Sequence, residues 1–410
     1  MTKAIRRRNP VAAEQLDSLF SSSPLSPRLQ QIYASRHVRS AQELERSLAG
    51  LLRPQQLKGL DVAVELLTHA MFERQRILIV GDFDCDGATS STVAVLALRA
   101  MGVADVSYLV PNRFEFGYGL TPEIVEVAKG FAPDLIVTVD NGISSIEGVA
   151  AARAAGIKVL VTDHHLPGRE VPAADAIVNP NQAGCDFPSK NLAGVGVIFY
   201  VMSALRTALR QRDWFNAQGI AEPNMASYLD LVALGTVADV VPLDANNRIL
   251  VQQGLQRIRA GQARPGILAM LEVAGRQPQR LVASDLGFSI GPRLNAAGRL
   301  DDISLGIECL LTDSPETARQ IASELDDLNR DRKSIETGMQ QEAMKSLEQL
   351  EISNPDDDMP WGLSLFNPDW HQGVIGILAS RIKDKYHRPV IAFARADAVD
   401  KDGEAEIKGS

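Results

Sequence analysis

The sequence predicts an α/β protein: a doubly wound, mostly parallel sheet first, then a helical extension, a long connecting helix and a partial second α/β unit. Three observations carry this expectation. Apolar runs of strand type alternate with helix-length segments between Ile77 and Val161, the periodicity from Leu192 to Leu311 is mostly helical, and residues 316–354 contain no proline. Strands that are nearly all apolar suit a sheet covered on both faces, as parallel sheets are.

The elements follow in order. A basic segment, 1–59, precedes the first strand, 77–80, which closes at Gly81 and three alternate aspartates. A helix is expected over 88–100, then strand 106–110, helix 122–129, strand 135–139, helix 145–154 and strand 159–161. Helices fill the rest of a unit spanning 60–312. Ser314 and Pro315 signal a helix start, and Ile321, Leu325, Leu328, Ile335 and Met339 form a narrow stripe on one polar helix. About 35 residues at 1.5 Å each would span about 50 Å, enough to bridge two bodies across 313–352. Beyond the loop at Asn354-Pro355 a second pattern begins within 353–410: strand 363–366, helix 374–383 and strand 390–393.

At 410 residues the chain exceeds what one hydrophobic core organises. With 45% hydrophobic and 23% charged residues, disordered and collagen-like architectures are excluded. No window is apolar enough for a membrane span, and no apolar signal core follows the N-terminus, so a cytoplasmic protein without membrane partners is expected. Cys85, Cys185 and Cys309 lie far apart, which encodes neither a disulfide framework nor a zinc site. The net charge of −9 argues against a protein coated with nucleic acid. Residues 1–60 nevertheless carry ten Lys or Arg against four Asp or Glu, a balance of +6 that leaves −15 for the remainder. Such a segment can contact phosphates, although a solvated face is the commoner use.

The acidic residues fall where strands end. Asp82, Asp84 and Asp86 follow the first strand, Asp140 ends the third, and Asp163, His164 and His165 end the next. The carboxyl ends of parallel strands border the ligand crevice, so these side chains should converge. Carboxylates gathered without cationic partners repel one another, and a divalent cation removes that cost. An EF-hand is excluded, because Val93 stands where the bidentate Glu belongs and a strand precedes the loop. Carboxylate oxygen with imidazole nitrogen and no thiolate suits Mn²⁺, or Mg²⁺, better than structural zinc. Asp239, in an apolar helical stretch, would be costly to bury without a partner. For Asp163, helix or turn capping and direct ligation stand equal.

These residues resemble a known family. DFDCDG (82–87), VTVDNG (137–142), VTDHH (161–165) and GTVADVVPL (235–243) are similar to four successive motifs of the DHH phosphoesterase superfamily. PNRFEFGYGL (111–120), IGPRLNAAGRLDD (290–302) and WHQGVIGILASRI (370–382) are similar, more narrowly, to the RecJ-type single-strand-specific exonucleases. The resemblance implies a two-ion nuclease of DNA repair and recombination, which releases mononucleotides from the 5′ end of single-stranded DNA. It implies that Asp84 and Asp86 bind different Mn²⁺ or Mg²⁺ ions, Asp140 bridges them, and His164 with Asp239 completes the set. Asp82 becomes a ligand or near-ligand, and His165 faces the scissile phosphate. Arg113, Arg293, Asn295 and Arg299 become candidates for phosphate contact, with His371 beside the substrate at the start of a DHH-associated domain. Phe114, Phe116 and Tyr118 could stack on bases or pack in the core. The family also implies a single-strand-binding protein and a helicase as partners, and further substrate-contacting segments after the position of Ser410. A phosphodiesterase acting on short oligonucleotides or small nucleotides is the enzymatic alternative. A non-catalytic replication scaffold is the other, disfavoured because every expected ligand position is filled.

Overall fold

The structure, a computed structural model, describes residues 9–21, 23–112, 116–353, 360–399 and 405–410. Five strands form the main sheet: β1 (Ile77–Gly81), β2 (Val106–Leu109), β3 (Leu135–Val139), β4 (Lys158–Thr162) and β5 (Ala176–Val178). All pair in parallel in the order β2-β1-β3-β4-β5. Every residue of β1 and β3 is buried, as the unbroken apolar runs require. β5 is an addition to the expected strands: at three residues it is too short to show a period.

The strand order reverses direction between β1 and β3. At such a switch point the loops leaving two neighbouring strands diverge to opposite faces and open a crevice at their carboxyl ends. Asp82 follows β1 and Asp140 follows β3, so the topology alone puts the aspartate motifs on that crevice.

One large core joins the sheet to the helices Cys85–Ala100, Gly194–Gln211 and Leu229–Ala238. The N-terminal segment is not a free arm along its described length. It holds two short helices, Ala13–Phe20 and Pro27–Ala34, and its later part packs on the helix Ala245–Arg259: Asn246 accepts the Leu52 N–H and Arg248 pairs with Glu43. The long helix runs Pro315–Ser353. Its stripe begins against the main core, with Ala318, Ala322 and Leu325, and ends in a second core with Met339, Ala343 and Leu347. That second core belongs to β6 (Leu363–Phe366), the helix Ile375–Tyr386, β7 (Val390–Val399) and β8 (Ala405–Gly409). β6 pairs parallel with β7, and β8 antiparallel.

Candidate metal centre

Asp82 leaves β1 directly, and its Oδ1 accepts the Phe83 N–H at 2.8 Å. Asp84 caps the next helix, accepting the N–H groups of Asp86 at 2.8 Å and Gly87 at 3.0 Å. That cap starts the helix at Cys85, three residues earlier than expected, and draws Asp86 into its first turn. There Asp86 is buried and accepts the N–H groups of Gly194 at 2.6 Å and Val195 at 3.0 Å, at the start of another helix.

Asp140 has a left-handed backbone, φ 62°, which Asp tolerates better than most residues. Asn141 locks this turn by donating to the carbonyls of Val80 and Val139, joining the ends of β1 and β3. Asp239 caps the C-terminus of the helix Leu229–Ala238. His164 Nε2 faces three of these carboxylates, at 3.1 Å from Asp140, 3.6 Å from Asp239 and 3.9 Å from Asp86.

Within this cluster three sets bring ligand atoms within 4.8 Å of one another: Asp82, Asp84 and Asp140; Asp86, His164 and Asp239; and Asp140 with His164 and His165. The sets share Asp140 and His164. Burial, and then the neighbouring carboxylates, hold Asp86 and Asp140 well above the usual carboxylate range. Burial and then Asp84 push Asp239 up to about 7. Burial and then the adjacent His165 push His164 down to about 4, so its ring is neutral and carries a free lone pair at neutral pH.

These residues fit a divalent cation. Asp140 Oδ1, His164 Nε2 and Asp239 Oδ2 are buried and have no hydrogen-bond partner. Gly194 crowds the same carboxylate, since a Cβ there would lie 2.5 Å from Asp140 Oδ1. Carboxylate oxygen with neutral imidazole nitrogen and no thiolate suits Mn²⁺ better than Mg²⁺, which rarely takes imidazole.

Asp163 does not join the cluster. Burial would raise its carboxyl, yet the hydrogen bonds it receives hold it below the ordinary range. Its Oδ2 accepts the Ile143 N–H, while Oδ1 accepts the N–H groups of His164 and His165 and meets His165 Nδ1 at 2.7 Å. That contact raises His165 to about 9. Of the two uses left open for Asp163, the geometry is that of turn capping, and the same carboxylate orients His165. Two asparagines that the sequence did not single out complete this corner: Asn179 donates to the His165 carbonyl and Asn181 to that of His164. Their signal was the turn-type Asn-Pro-Asn run after the DHH motif.

The residues expected to contact phosphate stand in different settings. Arg113 and Phe114 lie outside the described residues. Arg293 has a mostly covered side chain and pairs with Asp326 at 2.7 Å. Asn295 Oδ1 accepts the Cys85 N–H at 2.7 Å. Arg299 Nη1 reaches the Gly373 carbonyl at 3.4 Å, and His371 Nδ1 accepts the Gly373 N–H at 3.1 Å, which puts both residues at the junction with the second α/β unit. Phe116 packs partly on the core, while Tyr118 is half exposed with its ring against Phe83 and His165. A cavity of about 920 Å³ opens beside His165, lined by Tyr118, Ser144, Ser145, Glu147 and Leu166 among others.

A switch-point crevice lined by this cluster defines a DHH-type protein, and residues 76–236 match the DHH family, N-terminal domain. The chain is 62% identical over 386 residues to the single-stranded-DNA-specific exonuclease RecJ of Salmonella typhimurium, covering 94% of this chain and 66% of that one. It is 60% identical over 405 residues to the RecJ of Dickeya dadantii, covering 98% and 68%. The crystal structure of RecJ in complex with Mn²⁺ from Thermus thermophilus superposes with a TM-score of 0.76 at 33% identity, over 94% of this chain and 53% of that one. This chain belongs to the RecJ family. It spans about two thirds of the length of these two relatives.

Proposed function

We propose that this chain is the catalytic core of a metal-dependent 5′-to-3′ exonuclease that hydrolyses single-stranded DNA in repair and recombination. The observation that carries the reading is the group of buried, unpartnered ligand atoms on Asp140, His164 and Asp239, set among further carboxylates at a switch point. The names of the RecJ relatives and the Mn²⁺ bound by the Thermus thermophilus protein support it.

Asp82, Asp84 and Asp140 would hold one ion, and Asp86, His164 and Asp239 the other, with Asp140 between them. When bound, two such ions supply Lewis-acid activation of water and offset charge on the phosphate. The protein's own part is positioning. Asp163 engages His165 Nδ1, which leaves Nε2 as the ring atom available to a phosphate oxygen. Tyr118 and the adjacent cavity give room for a nucleotide next to that ring. Arg113, Asn295, Arg299 and His371 remain proposed substrate-side residues. Arg293, paired with Asp326, is a proposed substrate-side residue of the same wall. The proposed units are 1–59, 60–312, 313–352 and 353–410. A single-strand-binding protein and a helicase are proposed partners, and the cytoplasm the proposed location. Among the described residues no helix is long and apolar enough to cross a membrane.

The test is incubation with 5′-labelled single-stranded DNA, with and without Mn²⁺, and identification of the product. Labelled mononucleotide released only with the metal is expected. Release of internal fragments, or turnover of dinucleotides without turnover of longer strands, would overturn the reading.

A further inference from the structure

Cys85 sits between two proposed ligands, and its backbone N–H is the first of its helix. Such a group has no partner within the helix. Here it is satisfied by Asn295, 210 positions along the chain, at 2.7 Å. The helix that carries Asn295, Gly291–Leu300, touches the same loop a second time. Gly298 lies so close to Phe83 that a Cβ there would overlap the Phe83 carbonyl oxygen. One residue further on, this helix meets the second α/β unit in the same way, since a Cβ on Gly373 would overlap the Arg299 carbonyl oxygen. Arg299 in turn reaches back to the Gly373 carbonyl. Leu300 packs on the second core. The last turn of one short helix is therefore fitted between the second unit and the loop 82–86, with close backbone approach on both sides and little slack to absorb movement.

We propose that Asn295 is a positioning residue for the metal centre: its side-chain oxygen holds the Cys85 N–H and so fixes the spacing of Asp84 and Asp86, with the Gly291–Leu300 helix as the strut that carries it. The proposal rests on the metal-centre reading above. Cys85 offers no side-chain ligand in this arrangement, so what matters at that position is its backbone. A freed N–H lets the loop relax, and Asp84, whose carboxylate caps the adjacent N–H groups, moves with it. The carboxylates would still be present but no longer at matched distances.

The test is Mn²⁺ titration of Asn295→Leu and Asn295→Asp, followed by calorimetry and by the electron paramagnetic resonance of bound Mn²⁺, with thermal melting in parallel. Leucine keeps the volume and removes the acceptor. Mn²⁺ affinity should fall about tenfold, the size expected for losing one such hydrogen bond to a constrained group. On single-stranded substrate kcat should fall as well, while the Mn²⁺ affinity and spectrum, read without substrate, separate this from any loss of a phosphate contact by the same side chain. Aspartate keeps an acceptor at the same place and should recover the affinity and the resonance signature. Should the leucine variant fail to fold, Asn295→Ala, which adds no bulk, carries the same measurement. Wild-type Mn²⁺ affinity and spectrum in a folded variant without the acceptor would overturn the proposal, as would equal loss in the leucine and aspartate variants. Absence of Mn²⁺ binding by the unaltered protein would sink the metal-centre reading itself, which separates the two failures.

Discussion

Replacing Asp140 by alanine removes the carboxylate common to two of the ligand sets. Turnover of single-stranded DNA should be abolished, and the rise in melting temperature that Mn²⁺ gives by binding only the folded state should shrink or vanish. Near-normal rates at saturating Mn²⁺ would count against two ions sharing that residue. Asp163→Asn asks a different question, because Asp163 orients His165 without joining the same sets. Loss of an orienting partner commonly costs about 10- to 100-fold. Here the loss should fall on kcat while Mn²⁺ affinity changes little, and a matching drop in metal affinity would return Asp163 to the ligands. The aspartates and histidines were legible in the sequence because strand ends are marked by glycine and by clustered polar residues after apolar runs. Arg293 and Asn295 were legible only as donor types. Their partners, Asp326 and the Cys85 N–H, stand far off in sequence, and nothing local distinguishes an arginine aimed at a phosphate from one closing an ion pair.

The long helix shows what a period can and cannot reveal. Leu325 and Met339 are buried as the stripe implied, but Asp326, Asn329 and Glu336 are buried on it too. Asp326 pairs with Arg293 and Arg330, and Glu336 with Arg332 and Arg381. A charged residue on a helix is normally exposed, so burial of Asp326 and Glu336 follows only from cations on the same helix and on neighbouring elements. Breaking one partner of a buried pair costs more than replacing both, because the survivor keeps its charge without compensation. Asp326→Ala should therefore destabilise the protein by about 3–5 kcal/mol in denaturant unfolding, and Asp326→Leu with Arg293→Met by clearly less. Equal losses in the two variants would mean that the pair is not acting as a buried unit. Helix starts were less legible than helix bodies: Asp84 reads as one of three alternating aspartates, and only its hydrogen bonds identify it as the cap that sets where the helix begins.

At the scale of the whole molecule, the parallel sheet followed from alternating apolar runs, but the reversal between β1 and β3 depends on crossovers that no single segment encodes. The molecule must also solve an electrostatic problem. The chain carries −9 overall, most of its basic excess lies in the first 60 residues, and the proposed active crevice is lined by carboxylates, with Arg293 already paired. A polyanion approaching that crevice is repelled unless cations sit between the carboxylates and the phosphates. Phosphate binding by arginines alone would survive metal removal, whereas attraction that runs through bound ions would not. Affinity for a nuclease-resistant phosphorothioate single strand should accordingly fall about tenfold or more when EDTA replaces Mn²⁺, a change of at least ~1.4 kcal/mol. In Mn²⁺ the affinity should also weaken as salt rises, since each neutralised phosphate releases counterions. Fluorescence anisotropy at several salt concentrations reads both effects. Undiminished binding in EDTA would assign the attraction to basic side chains, the N-terminal segment foremost, and remove the ions from the recognition of the strand.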